Sequence, residues 1–91
     1  VTLLPKPVRE RNEAFLDLVR SEPCAGCGAP PPSDPNHLKT RGAGGSDYET
    51  APMCRVCHTE WHAIGPRTWA EKRGVNLYQV TARLLVKFFT R

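Results

Sequence analysis

Two cysteine pairs, Cys24-Ala-Gly-Cys27 and Cys54-Arg-Val-Cys57, bracket the one stretch of this chain whose residue types suggest chemistry, Asp34-Pro35-Asn36-His37. Two CxxC turns can supply four thiolates to one tetrahedral zinc ion with little strain, and the segment between them is long enough to hold a hairpin. The second pair runs directly into His58-Thr-Glu-Trp-His62, where the i, i+4 spacing puts both imidazoles on one face of a helix. Two histidines so spaced suit a divalent cation, although such a pair is also an ordinary solvated helix face. His37 has the right titration range to take a proton from water; its plain reading is a surface or core histidine with a local hydrogen bond. Cys54-Arg-Val-Cys57-His58 also matches the covalent haem motif CxxCH, a reading that leaves Cys24 and Cys27 unexplained.

The elements that must position these groups follow from local pattern. Pro7 to Ser21 reads as a helix, with Val8, Phe15, Leu16 and Val19 on one face and Glu22-Pro23 ending it. Cys24 to Gly28 is a metal-knuckle turn, where Gly26 and Gly28 permit unusual backbone angles. Asn36 to Thr40 is a short strand, residues 41–47 are a loop, and Tyr48 to Met53 is the returning strand. A helix runs from Arg55 to about Ile64, stopped by Gly65-Pro66. Thr68, with Glu71 in the capping-box position, opens a short helix through Arg73. Asn76 caps a last helix whose stripe of Leu77, Val80, Leu84, Leu85 and Phe88 is core or a dimer contact.

A chain of 91 residues implies one domain, here divided into an N-terminal helix over 7–21, a zinc-stapled core over 24–65 and C-terminal helices over 66–91. So small a core gains much from a metal staple. The start lacks the apolar run of a secretory signal and nothing is apolar enough to span a bilayer, so the expectation is a cytoplasmic location, reduced thiols and no membrane partner. A net charge of +4 and a pI near 9.1 suit a polyanionic partner.

The order Cys24-x-x-Cys27, Asp34-Pro35-Asn36-His37, Pro52-Met53-Cys54-x-x-Cys57-His58 and His62 resembles the HNH endonucleases, in particular zinc-stapled members of phages and prophages and phage junction-resolving endonucleases. The resemblance covers Cys24 to about Gly65. It implies an α+β fold with a ββα-metal, treble-clef-like module: a hairpin and a helix gripping one divalent cation, Mg²⁺ or Mn²⁺ or another, beside the structural Zn²⁺. It implies His37 as general base, His58 and His62 as cation ligands, Asn36 as a further ligand, and products with 5′-phosphate and 3′-hydroxyl ends. Two departures stand out. Asn36 occupies a position usually held by Asp or His, with Asp34 as a substitute, and the middle Asn of the family motif is missing. Glu49 falls roughly in that place, while Asp47-Tyr48 resembles a shifted match, and of the two Asp47 is favoured for orienting the base or bracing its loop.

The resulting expectation is a metal-dependent DNA endonuclease, phage-encoded or nucleoid-associated. Lys39, Arg41 and Arg55 would bind phosphates, and the chain could form a homodimer. The alternative is a zinc-ribbon module that binds nucleic acid without cleaving it.

Overall fold

A computed structural model describes residues 10–39 and 45–91. The element order is α1 (Glu13–Arg20), β1 (Asp34–His37), β2 (Thr50–Met53), α2 (Arg55–Ile64), α3 (Pro66–Arg73) and α4 (Leu77–Thr90). It is a small α+β fold in which one antiparallel hairpin and four helices surround a cluster of four cysteines.

The hairpin reads Asp34 opposite Met53, Pro35 opposite Pro52, Asn36 opposite Ala51 and His37 opposite Thr50. Strand β1 therefore starts two residues before the expected Asn36, and Thr40 lies outside the described residues. The two facing prolines explain how the ladder tolerates them. In an antiparallel pair, alternate positions turn their N–H and C=O away from the partner, and a proline there forfeits no ladder bond. The Pro52 carbonyl accordingly points outward and accepts the Ala25 N–H at 2.8 Å, tying the first knuckle to the hairpin. Strand β2 begins at Thr50 rather than Tyr48, because Ser46 to Glu49 form a turn closed by the Glu49 N–H on the Ser46 carbonyl.

Helix α1 begins at Glu13, six residues later than expected, and Pro7 itself lies outside the described residues. Asn12 is extended and its side chain accepts the Phe15 N–H, a cap that sets the start of the helix. Helix α2 keeps its expected bounds. Helix α3 starts at Pro66 instead of after Thr68, since proline is well suited to a first helical position and the left-handed Gly65 reverses the chain before it. Asn76 caps α4 through the Tyr78 N–H, as its position implied.

Two clusters make the core. One joins Cys24, Ala51, Met53, Cys57, Trp61, Trp69 and Leu77, so two of the four cysteines are core residues. The other packs α4 on α1 through Phe15, Val19 and Leu84, with Phe88 edge-on to Phe15 at 5.4 Å between ring centres. The α4 stripe thus covers the N-terminal helix, the plainer of the two roles open to it. Among the described residues, no helix is long and apolar enough to cross a membrane.

Candidate metal centre and histidine site

The four cysteine sulfurs lie within 4.8 Å of one another, drawn from the two knuckles. Four thiolates around zinc at about 2.3 Å stand roughly 3.8 Å apart in a tetrahedron. Cys27 Sγ and Cys54 Sγ are 3.7 Å apart, so the spacing fits that ion. Each knuckle also turns N–H groups toward sulfur: Gly26 donates to Cys24 at 3.3 Å and Cys57 to Cys54 at 3.4 Å. Cys54 is thereby both a knuckle residue and the N-cap of α2, whose positive dipole end favours the negative cluster. Burial raises the Cys24 thiol, but backbone N–H groups of Cys54, Cys27 and Gly26 outweigh it and bring it down to about 6. Burial, reinforced by the neighbouring sulfurs, pushes the Cys57 thiol well up. Four sulfurs this close repel one another once ionised, and a divalent cation among them removes that cost.

Of the two knuckle glycines, Gly28 has the left-handed backbone, at φ 76°. Gly26 is needed for space instead. A Cβ there would stand 2.8 Å from Trp69 Cζ2 and 3.0 Å from Cys57 Sγ. Trp69 of α3 is completely buried and lies over the knuckle, so the third helix closes the lid of the cysteine cluster. Glu60 braces the same junction, holding Lys72 at 2.9 Å and Arg73 at 2.8 Å. That pairing draws the two basic groups into α2–α3 packing.

The histidines form two pairs, both anchored on β1. At its end, His37 Nε2 is 2.8 Å from Asp47 Oδ1, with side chains only 14% and 4% exposed. A carboxylate accepts, so Nε2 is the donor, and in the neutral ring the lone pair is then on Nδ1. At its start, Asp34 Oδ2 is 3.4 Å from His58 Nδ1 and 3.3 Å from an Arg55 nitrogen. The far side of the His58 ring faces His62, Nε2 to Nε2, at 3.1 Å. Two imidazole nitrogens bound to one ion at about 2.0–2.1 Å stand roughly 2.9–3.4 Å apart, so this pair is spaced for a shared cation. A carboxylate on the other nitrogen of a ligating histidine is the usual way such a ring is oriented.

Among the described residues, the cysteines are nonetheless the one group of three or more His, Cys, Asp or Glu side chains with converging ligand atoms. His58 presents one nitrogen to Asp34 and the other to His62, so Asp34 stands behind the pair rather than beside it. No hydrogen bond among the described residues joins His37 to either helix histidine. Asn36 is buried within β1, its Nδ2 3.0 Å from Met53 Sδ, and its Oδ1 has no partner among the described residues. Lys39 is exposed just past β1, and Arg41 lies outside the described residues.

The residue that sequence reasoning passed over is Asn12. Its backbone N–H donates to Asp47 Oδ2 at 3.0 Å and its Nδ2 to the Tyr48 hydroxyl at 2.8 Å. An Asn before an amphipathic stretch signals a helix cap, but nothing local points from it to a carboxylate far along the chain.

Residues 2–89 match the family described as "Protein of unknown function (DUF968)". The uncharacterized protein YdfU of Escherichia coli (strain K12) is 41% identical over 64 residues, covering 65% of this chain and 18% of that protein. The chain therefore spans less than a fifth of the length of that relative. No solved structure matches it.

Proposed function

The chain belongs to the DUF968 family, whose function is unknown, and we propose that this member is a metal-dependent DNA endonuclease of the HNH kind. The observation behind the proposal is that one short strand carries both His37, paired with Asp47, and Asp34, which faces the His58–His62 pair. Hydrolysis of a phosphodiester needs a group that takes a proton from water and a cation near the phosphate. With Nε2–H donated to Asp47, His37 would accept that proton on Nδ1. Asp47 then stabilises the imidazolium that forms. A divalent cation on His58 and His62, with the unpartnered Asn36 Oδ1 as a further oxygen donor, would stabilise charge on the phosphate and on the departing sugar oxygen. Lys39, Arg41 and Arg55 would hold flanking phosphates. Arg55 leaves Asp34 at 3.3 Å with little loss, because its side chain is 81% exposed and an exposed ion pair is worth little.

The test is nicking of supercoiled plasmid by the purified chain with Mg²⁺ or Mn²⁺. Activity should appear with the cation and fall by about 100-fold or more in His37→Ala. Full activity in that variant would remove the assigned base.

A second reading has its own support. Among the described residues only the four cysteines converge as a group, and the Asn36 amide nitrogen is turned to Met53. Both suit a zinc-ribbon module that binds nucleic acid and does not cut it. Retention of DNA in a mobility-shift assay, with no cleavage under any divalent cation, would select it.

A further inference from the structure

Helix α1 stands outside the hairpin–helix unit that bears His37, His58 and His62, yet its first residues are bonded to the group that holds His37. We propose that α1 is part of the candidate active site, and that its cap Asn12 is a positioning residue for His37, acting through Asp47. The inference rests on the reading of His37 as the base.

The Asp47 carboxylate is 4% exposed, so donors must replace the water it has lost. Oδ1 takes His37 Nε2 at 2.8 Å and Oδ2 takes the Asn12 backbone N–H at 3.0 Å. The Asp47 N–H in turn donates to the Glu10 carbonyl at 3.0 Å. Residues 10–12 therefore hold Asp47 by its backbone and by its side chain. Asn12 is itself held firmly. Its Oδ1 accepts the Phe15 N–H at 3.0 Å, its carbonyl accepts the Leu16 N–H at 3.1 Å, and its Nδ2 donates to the Tyr48 hydroxyl at 2.8 Å. Phe15, one turn on, is fully buried and packs on the Tyr48 ring at 5.7 Å. The cap thus fixes the angle at which the Asn12 N–H meets the carboxylate, and the aromatic contact fixes the distance between helix and turn. A helix that only covered the core would need apolar contacts and a cap for its own first turn. This one spends the polar groups of its cap on two consecutive residues, one of which sets the tautomer of His37. Small errors in placing a base cost rate far more than affinity.

Three variants test this: Asn12→Ala, which loses both the cap and the Tyr48 bond; Asn12→Ser, which keeps a capping oxygen; and Tyr48→Phe, which removes only the hydroxyl. Each is measured for Mg²⁺-dependent plasmid nicking, zinc content, and ¹⁵N signals of the His37 imidazole. Asn12→Ala is expected to lower kcat about 10- to 100-fold, with KM for DNA within about twofold and zinc content unchanged. Its imidazole signals should shift from an Nε2-protonated ring toward a mixture of tautomers. Asn12→Ser should restore most of both, and Tyr48→Phe should fall between. Wild-type kcat and unchanged His37 signals in Asn12→Ala would overturn the proposal. So would a loss of kcat accompanied by loss of zinc and of DNA affinity that Asn12→Ser does not rescue, since α1 would then serve the fold alone. If the wild-type chain does not nick DNA, the base assignment fails, while the imidazole signals still decide whether Asn12 positions the ring.

Discussion

Substituting Gly26 by alanine probes the seating of Trp69 on the cysteine cluster, and two opposing effects set its sign. The backbone of Gly26 is outside the left-handed region, so alanine meets no conformational strain there. Loss of chain entropy in the unfolded state would by itself stabilise the variant by about 0.4–1 kcal/mol. Against this, the new Cβ would lie 2.8 Å from Trp69 Cζ2 and 3.0 Å from Cys57 Sγ. Neither neighbour yields easily. Trp69 has no exposed surface, and Cys57 Sγ belongs to the metal cluster. Overpacking of this kind costs about 1–3 kcal/mol. The expected net effect is a destabilisation of about 1–2 kcal/mol, or a fall in Tm of roughly 5–15 °C for a domain this size. Thermal unfolding at saturating zinc measures it, with chelator competition following the metal. Trp69→Phe supplies the decisive arm, because it removes the ring carbon that clashes. The double variant should lose less stability than the two single losses added together. Gly28→Ala is the control: with φ at 76° and open space around it, its cost is conformational, and Trp69→Phe should not relieve it. A Gly26→Ala protein that melts at or above the wild type, or one that Trp69→Phe does not relieve, would refute the packing of α3 against the knuckle.

Asp47→Asn can offer His37 an N–H in place of an oxygen and so reverse its tautomer; nicking should drop about 100-fold in kcat with DNA retention intact, as steady-state kinetics and mobility shift would show. Arg55→Ala should weaken DNA retention and reduce the slope of log affinity against log salt by about 1, measured across a KCl series; an unchanged slope would take Arg55 out of the phosphate contacts. Removing zinc with a strong chelator should cost helical circular dichroism from α2, which loses the cap anchored at Cys54, and acidification should do the same because the thiolates take up protons. A metal-free chain with the original spectrum would show that the cysteines do not staple the fold.

Much of the outline was legible because it rests on short-range chemistry. The bounds of α2, the Asn76 cap and the two knuckles each depend on a few adjacent residues whose side chains satisfy neighbouring backbone groups. The misplaced boundaries were at Pro35, Asn12, Thr50 and Pro66. Pro35 is admitted to β1 because the register with Pro52 places it where no ladder bond is owed. A proline read without its partner argues against a strand. The role of Gly26 was likewise hidden, since the space it leaves is filled by a tryptophan from α3, four elements further along the chain.

The candidate site divides along the same line. Residue type and spacing alone were enough to pick out four cysteines for one metal and His58 and His62 as a pair, because spacing along a knuckle or a helix is set by covalent geometry; Asp47 as a partner of His37 came from the family resemblance instead. Tertiary packing alone decided which nitrogen of His37 is protonated, that Asp34 stands behind His58, that Asn36 is buried against Met53, and that Asn12 reaches across from α1 to hold Asp47. Those bonds join segments far apart in the chain, and their geometry exists only once the hairpin, the cysteine cluster and the aromatic contact between α1 and α4 have brought the segments together.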